Sequence, residues 1–352
     1  MKEKRTHKIK TLPITELEKN VLKHKILKSV DNLSKRKRRT QIAISVVTCL
    51  IIFGGGLGFY FLKMPTTSIT EFVNTSGDID VNQSDNVVLI LGEGENLNIH
   101  GENSIINYSS TGQRVRIGKN REIDQKTSKN NEILYNTLLV PYGKRTKIEL
   151  SDGSIVWLNS GSKLVYPSVF NGDKRELYLE GEAIFDVAHN KNKPFIVISE
   201  NQEIEVLGTV FGVTNYKDEN ALNTVLKSGS VQISYNNSSS SHVNNDKMKI
   251  SPGTKASYNK KTKSMVSEKV NVDHYFSWRD GVFIFKNNDL KHITNRISRY
   301  YNLKIEITND DLAKETFSGY LDLNEDIDKV IKNIKASTNM NYTLIEDKII
   351  IN

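Results

Sequence analysis

Lys147-Ile148-Glu149-Leu150-Ser151-Asp152-Gly153-Ser154-Ile155-Val156-Trp157-Leu158 decides the fold class. Two short alternating runs flank Asp-Gly, the dipeptide that most strongly marks a tight hairpin, because Gly supplies the positive φ the turn needs. The rhythm is two residues, that of a half-buried strand, and not the 3.6 of a helix.

The same rhythm continues in both directions. After a turn at Asn171-Gly172, strands are expected at 175–179, 195–198, 203–207, 210–216, 222–226 and 231–234. Upstream, 87–91 and 104–108 read as strands, punctuated by Gly92, Gly94, Gly101 and Gly112. Many short strands with close turns predict an all-β domain over 137–235, a sandwich, barrel or solenoid with no helical layer, after a β-rich segment over 63–136. Asn236-Asn237-Ser238-Ser239-Ser240-Ser241 is a polar break that opens a connection of loop and strands over 236–277.

Beyond residue 278 the pattern changes. A strand at 282–285 precedes a helix face of Leu290, Ile293, Ile297 and Tyr300, with Asn288 as its expected cap, and a strand follows at 303–307. The unit recurs with a strand at 317–321, a helix of Ile327, Val330, Ile331 and Ile334 capped near Asn324, and strands at 342–345 and 348–351. Two β-α-β repeats predict a small α+β domain over 278–352.

The N-terminal side carries the longest apolar run, residues 42–62, about 31 Å as a helix, which matches a bilayer's hydrocarbon core. Lys35, Arg36, Lys37, Arg38 and Arg39 precede it, and only Lys63 follows closely. Basic residues stay cytoplasmic, so one span with its N-terminus inside and its C-terminus outside is expected. An uncleaved anchor is expected in preference to a secretory signal, from the long preceding arm and from Phe59-Tyr60-Phe61-Leu62-Lys63-Met64, where small residues would stand. Gly54-Gly55-Gly56 within the run weakens its helix by about 1 kcal/mol per Gly relative to Ala.

Net charge is +8, but residues 1–41 hold 14 Lys/Arg and 4 Asp/Glu, or +10, leaving −2 for the rest. The basicity thus belongs to topology and gives no ground for direct nucleic-acid binding. In this arm, Thr15 and Glu18 have capping-box spacing, and Leu17, Val21, Leu22, Ile26, Val30 and Leu33 form an apolar stripe. A lone helix has no core to bury that stripe, so it lies on the inner leaflet or against a protein partner.

Cys49 is the single cysteine and lies in the span, and the seven His have no metal-binding spacing, so neither a metal nor another cofactor is expected. Gly92-Glu93-Gly94 lacks the strand–helix setting of a dinucleotide loop. Glu180 and Glu182 read as a polar strand face, and Trp157, Tyr166 and Phe185 as core.

Residues 140–145 and 150–167 resemble the core motif of FecR-type anti-sigma factors, and Leu179-Glu180-Gly181-Glu182-Ala183-Ile184-Phe185-Asp186-Val187, 193–195, 206–213, 251–256 and Trp278-Arg279-Asp280-Gly281 continue the resemblance in order. The C-terminal domain is similar to the short secretin/TonB module of the Bacteroidota form. The resemblance implies a single-pass inner-membrane regulator with a periplasmic FecR domain. Its implied partners are an extracytoplasmic-function sigma factor and the signalling domain of an outer-membrane TonB-dependent transporter for an iron chelate or glycan. Sigma binding falls to Leu17, Val21, Leu22 and Ile26, and transporter contact to the domain bearing Leu290, Ile293, Ile297 and Tyr300. Family members usually have several cytoplasmic helices, whereas residues 1–41 have room for one. Some relatives cleave themselves at a Gly-Thr bond, which matches Gly208-Thr209 here. The competing expectation is a membrane-anchored β-rich structural or adhesive protein without sigma binding.

Overall fold

A computed structural model describes residues 15–62, 68–101, 105–127, 133–200, 202–235, 246–338, 340–345 and 348–352. The chain divides into two compact units, Met1–Pro65 and Thr66–Asn352.

Among its described residues the first unit carries one helix, α1 (Glu16–Leu62), of 47 residues. Its start follows the expected capping pair: the Glu18 carboxylate accepts from the Thr15 backbone N–H at 3.0 Å and from the Thr15 hydroxyl at 2.9 Å. Arm and apolar run were expected as separate elements, but the helix passes through 41–42 without a break. Among the described residues, no helix is long and apolar enough to cross a membrane. Of the expected span, the side chains at 43 and 57–62 lie outside the described set, as does that of Lys37.

Among the described residues of the second unit, eighteen strands form one hydrogen-bonded network in two layers. The first layer runs Asn96–Ile99, Val87–Ile90, Tyr135–Val140, Ser162–Pro167, Arg175–Asp186, Phe195–Ser199, Gln202–Val206, Val231–Tyr235 and Asp246–Ile250. The second runs Arg121–Asp124, Arg114–Ile117, Ile105–Tyr108, Thr146–Glu149, Ile155–Leu158, Arg175–Asp186, Val210–Asn215, Ala221–Ser228, Thr254–Asn259 and Met265–Lys269. Inward residues of both layers share one core, with Leu89, Leu138, Leu164 and Ile204 from the first and Ile106, Ile148, Val156 and Phe211 from the second. The hairpin around Asp152-Gly153 forms as its sequence requires, pairing Thr146–Glu149 with Ile155–Leu158.

Arg175–Asp186 belongs to both layers. Its first half pairs with Phe195–Ser199 and Ser162–Pro167, and its second with Val210–Asn215 and Ile155–Leu158. The change of layer occurs at Gly181, whose φ is +100°.

Strands of the segment over 63–136 join the same network: Val87–Ile90 pairs with Tyr135–Val140, and Ile105–Tyr108 runs parallel to Thr146–Glu149. The described residues over 137–235 hold no helix, and helical cover comes from outside that range. Helix α2 (Ile69–Thr75), capped by the Ser68 hydroxyl, lays Ile69, Phe72 and Val73 on Tyr135, Val165, Tyr178, Ile196 and Ile198 outside the first layer. Outside the second layer, α3 (Asp273–Phe276) and a 3₁₀ turn, Ser277–Asp280, seat Phe276 and Trp278 against Ile184 and Val225. The polar loop at 236–241 lies outside the described residues.

The C-terminal part holds the expected strands and helices and differs in its caps. Strand Val282–Asp289, α4 (Leu290–Tyr301), strand Lys304–Ile307, α5 (Asp310–Lys314), strand Thr316–Asp322, α6 (Ile327–Ser337) and strands Tyr342–Ile345 and Lys348–Ile351 follow in order. The two repeats are present but interleave, because strands of one repeat pair with strands of the other. Val282–Asp289 is antiparallel to Thr316–Asp322, and Lys304–Ile307 is parallel to Lys348–Ile351. The caps are Asp289, whose carboxylate accepts the His292 N–H at 2.6 Å, and Asp326, each displacing the expected Asn. Leu290, Ile293 and Ile297 are fully buried with Val330, Ile331 and Ile349, so they hold this part together and offer no contact face. Tyr300 is half-buried at its edge.

Candidate functional site

The densest set of buried charges lies on a seam where α4 meets the second β layer. Gly181 starts it. A Cβ there would come within 2.5 Å of Ser162 Oγ and 2.8 Å of the Gly161 carbonyl, so the strand passes this point only as glycine. Ser162 Oγ then accepts the Glu182 N–H at 2.9 Å and fixes the next residue.

Glu182 is 4% exposed. Its carboxylate accepts from Asn159 Nδ2 at 2.6 Å, from Thr214 Oγ1 at 3.3 Å, and on both oxygens from Arg296 Nη2 at 3.0 and 2.8 Å. The Arg296 guanidinium also lies 4.9 Å from the Phe283 ring centre. Burial is the largest single influence and would lower its pKa, but Glu182, through charge and hydrogen bond, together with Tyr216 and Glu219 outweighs it and holds the group above the usual arginine range. A buried charge is tolerable here because it is paired and hydrogen-bonded.

One turn along α4, Arg299 donates to Glu219 at 2.6 Å and to both Asp218 oxygens at 2.8 Å, and lies 3.8 Å from the Tyr216 ring centre. Its carbonyl accepts the Gly143 N–H at 2.8 Å. Tyr216 donates its hydroxyl to the Ser160 carbonyl at 2.9 Å, and Arg145 covers the Tyr300 ring while donating to the Trp278 carbonyl. Between these groups is a cavity of about 10 Å³, room for about one water. Trp278 Nε1 and Arg299 Nε, from two residues that line it, are buried without a protein partner.

His292 stands on the same helix. Burial first, then the neighbouring Arg296 charge, lowers its pKa to about 4. It lines a second, larger cavity with Lys255, Lys269 and Lys286.

Glu182 looked partnerless in the sequence because Arg296 is 114 positions away. Glu180 shares nothing with it: the turn at Gly181 separates them, and Glu180 pairs with Lys163 at 3.4 Å and Lys217 at 3.2 Å. The signal that was there to read is Arg296 and Arg299 three apart, flanking the apolar face of α4.

The expected sigma-facing residues Leu17, Val21, Leu22 and Ile26 are 50 to 77% exposed on α1. Thr209 is buried and donates its hydroxyl to the Ser230 carbonyl at 3.1 Å, while a Cβ on Gly208 would overlap His189. Among the described residues, no group of three or more His, Cys, Asp or Glu is placed to hold a metal ion.

The family model described as FecR protein matches residues 136–232, and that described as FecR, C-terminal, matches residues 282–351. The chain is similar to a crystal structure of a candidate anti-sigma factor from Parabacteroides distasonis ATCC 8503 at 1.65 Å, with 24% identity and a TM-score of 0.56 over 61% of this chain and 98% of that one. A second structure so described, at 2.50 Å, gives 25% identity and a TM-score of 0.56 over 62% and 98%. No curated protein matches.

Proposed function

The chain belongs with the FecR proteins through its FecR and FecR C-terminal domains, and on that premise we propose that it relays a signal from an outer-membrane transporter to a sigma factor. The domains and the structural neighbours support a signalling regulator of anti-sigma type, a role that needs no catalytic turnover. The finer reading places the chain in the inner membrane, with residues 42–62 as its span and the basic residues 35–39 inside the cell. The inner partner is an extracytoplasmic-function sigma factor. The outer partner is the signalling domain of a TonB-dependent transporter for an iron chelate or glycan, met by the C-terminal part.

The observation that carries this reading is the exposed apolar row of Leu17, Val21, Leu22 and Ile26 on α1. A helix leaves such a row uncovered where a partner covers it. The test is co-purification of the full chain, in mild detergent, with the sigma factors of its cell. One extracytoplasmic-function sigma factor is expected, with recovery reduced at least about tenfold when Val21, Leu22 and Ile26 are changed to Ser. Equal recovery from both chains, or none from either, overturns it and favours a membrane anchor for a β-rich exterior. Self-cleavage at Gly208-Thr209 is a separate question that a denaturing gel of the purified chain answers: two bands abolished by Thr209→Ala mean cleavage, and one band means none.

A further inference from the structure

The seam between the C-terminal part and the β layers differs from the interior on either side of it. Each side has its own closed core, one built around Leu89, Ile148 and Phe211, the other around Ile293, Ile297, Val330 and Ile349. Between them stand ion pairs: Glu182 with Arg296, and Asp218 and Glu219 with Arg299. Pulling the seam apart uncovers Phe283 and Leu323 at its cavity but leaves Ile293, Ile297, Val330 and Ile349 packed on one another, and water replaces the partners of each charge. A polar contact between two self-sufficient cores is the arrangement in which relative motion is the default.

The closed seam is also incompletely satisfied. Trp278 Nε1 and Arg299 Nε are buried with no protein partner, and solvent supplies one when the seam opens. The connection, meanwhile, is seated on the β layer up to Trp278 and joins the C-terminal part at Gly281, whose carbonyl accepts the Leu323 N–H at 2.8 Å. Phe276 and Trp278 pack there with Ile184 and Val225, so this stretch stays with that layer. Gly281 follows immediately in the left-handed region, at φ +79°, where the chain leaves the layer and enters the C-terminal part. A short segment of this kind absorbs the backbone change of a hinge.

We infer that Glu182–Arg296 and Asp218/Glu219–Arg299 form a reversible clasp, which opens about Gly281 while both cores stay folded. Opening frees Arg296, Arg299 and Tyr300 on the same helix and uncovers Glu182 on the β layer. The two arrangements are discrete, because a half-open seam leaves buried charges with neither partner nor water. As a control step in signalling this rests on the regulator reading; as a motion it does not.

The Gly143 amide reports the seam, since its hydrogen bond to the Arg299 carbonyl crosses it. The experiment is hydrogen exchange, resolved to single residues by mass spectrometry, on the full chain in mild detergent. In the native chain, Gly143 is expected to exchange at least tenfold faster than the amides of Ile155–Leu158 and Lys348–Ile351. Arg296→Gln is expected to speed Gly143 at least tenfold more and leave those strands unchanged. Exchange of all three regions at one common rate, in both chains, overturns the clasp, as does an unaltered Gly143 rate in a folded Arg296→Gln chain. Should Arg296→Gln lose protection throughout, the native chain at 0.05 and 1 M salt decides: a gain confined to Gly143 supports the clasp, and a uniform change overturns it. No sigma factor enters the readout, so failure of the sigma co-purification and failure of the clasp are told apart.

Discussion

Gly181 combines two demands no other residue meets, a φ of +100° and a Cβ position occupied by Ser162 and Gly161. Gly181→Ala is expected to cost about 3 kcal/mol, from left-handed backbone strain plus overpacking, and a denaturant midpoint measures it. His292 gives a pH signature. Folded, it is held neutral down to about pH 4, whereas the unfolded chain protonates it near the ordinary histidine value of 6.5. Between those values the unfolded state binds the extra proton, so stability falls as pH is lowered through that window, by up to about 3 kcal/mol. Urea midpoints from pH 7 to 4 should show this loss, reduced in His292→Gln; parallel curves for the two chains would disprove the assignment. The groups that set this behaviour, Arg296, Asp289 and Glu182, also show the limit of reading single residues. Glu182 alternates with apolar neighbours like any strand residue, and nothing local announces an arginine 114 positions on.

At the scale of elements, what is periodic was legible. The Asp152-Gly153 hairpin, the short strands around it, the Thr15–Glu18 start of α1 and the helix faces of α4 and α6 each follow from a local rhythm or a turn residue. Helix α2 was missed because Ile69-Thr70-Glu71-Phe72-Val73-Asn74-Thr75 is two turns long and rich in β-branched residues, which favour strands. It is helical because Ser68 caps it and the first layer offers Ile69 an apolar seat. Ile69→Ala should therefore cost about 2 to 4 kcal/mol of β-unit stability, measured by thermal unfolding, although the helix is short. The caps were misread by one or two residues: at α4 Asn288 stands next to Asp289 and either side chain serves, while α6 starts at Asp326 without a side-chain capping bond.

For the whole second unit, sheet order was not legible. Ile105–Tyr108 lies parallel to Thr146–Glu149 forty residues on, and the C-terminal repeats exchange strands, because such pairings are chosen by complementary faces far apart in sequence. The independence of the two cores gives a prediction at this scale. A chain lacking 282–352 should keep its β layers, with a cooperative thermal transition and near-ultraviolet dichroism of its packed aromatics; loss of both would show that the layers need the C-terminal part. The strand Arg175–Asp186 has a mechanical consequence. It is hydrogen-bonded along both edges, to Ser162–Pro167 and Phe195–Ser199 in one half and to Ile155–Leu158 and Val210–Asn215 in the other. A tug delivered through Arg296 to Glu182 meets a strand held on both edges, where several ladder bonds share the load, while the ion pairs bear it alone. Under tension the contact yields first and the sheet transmits none of the damage, so the molecule is built with a fuse.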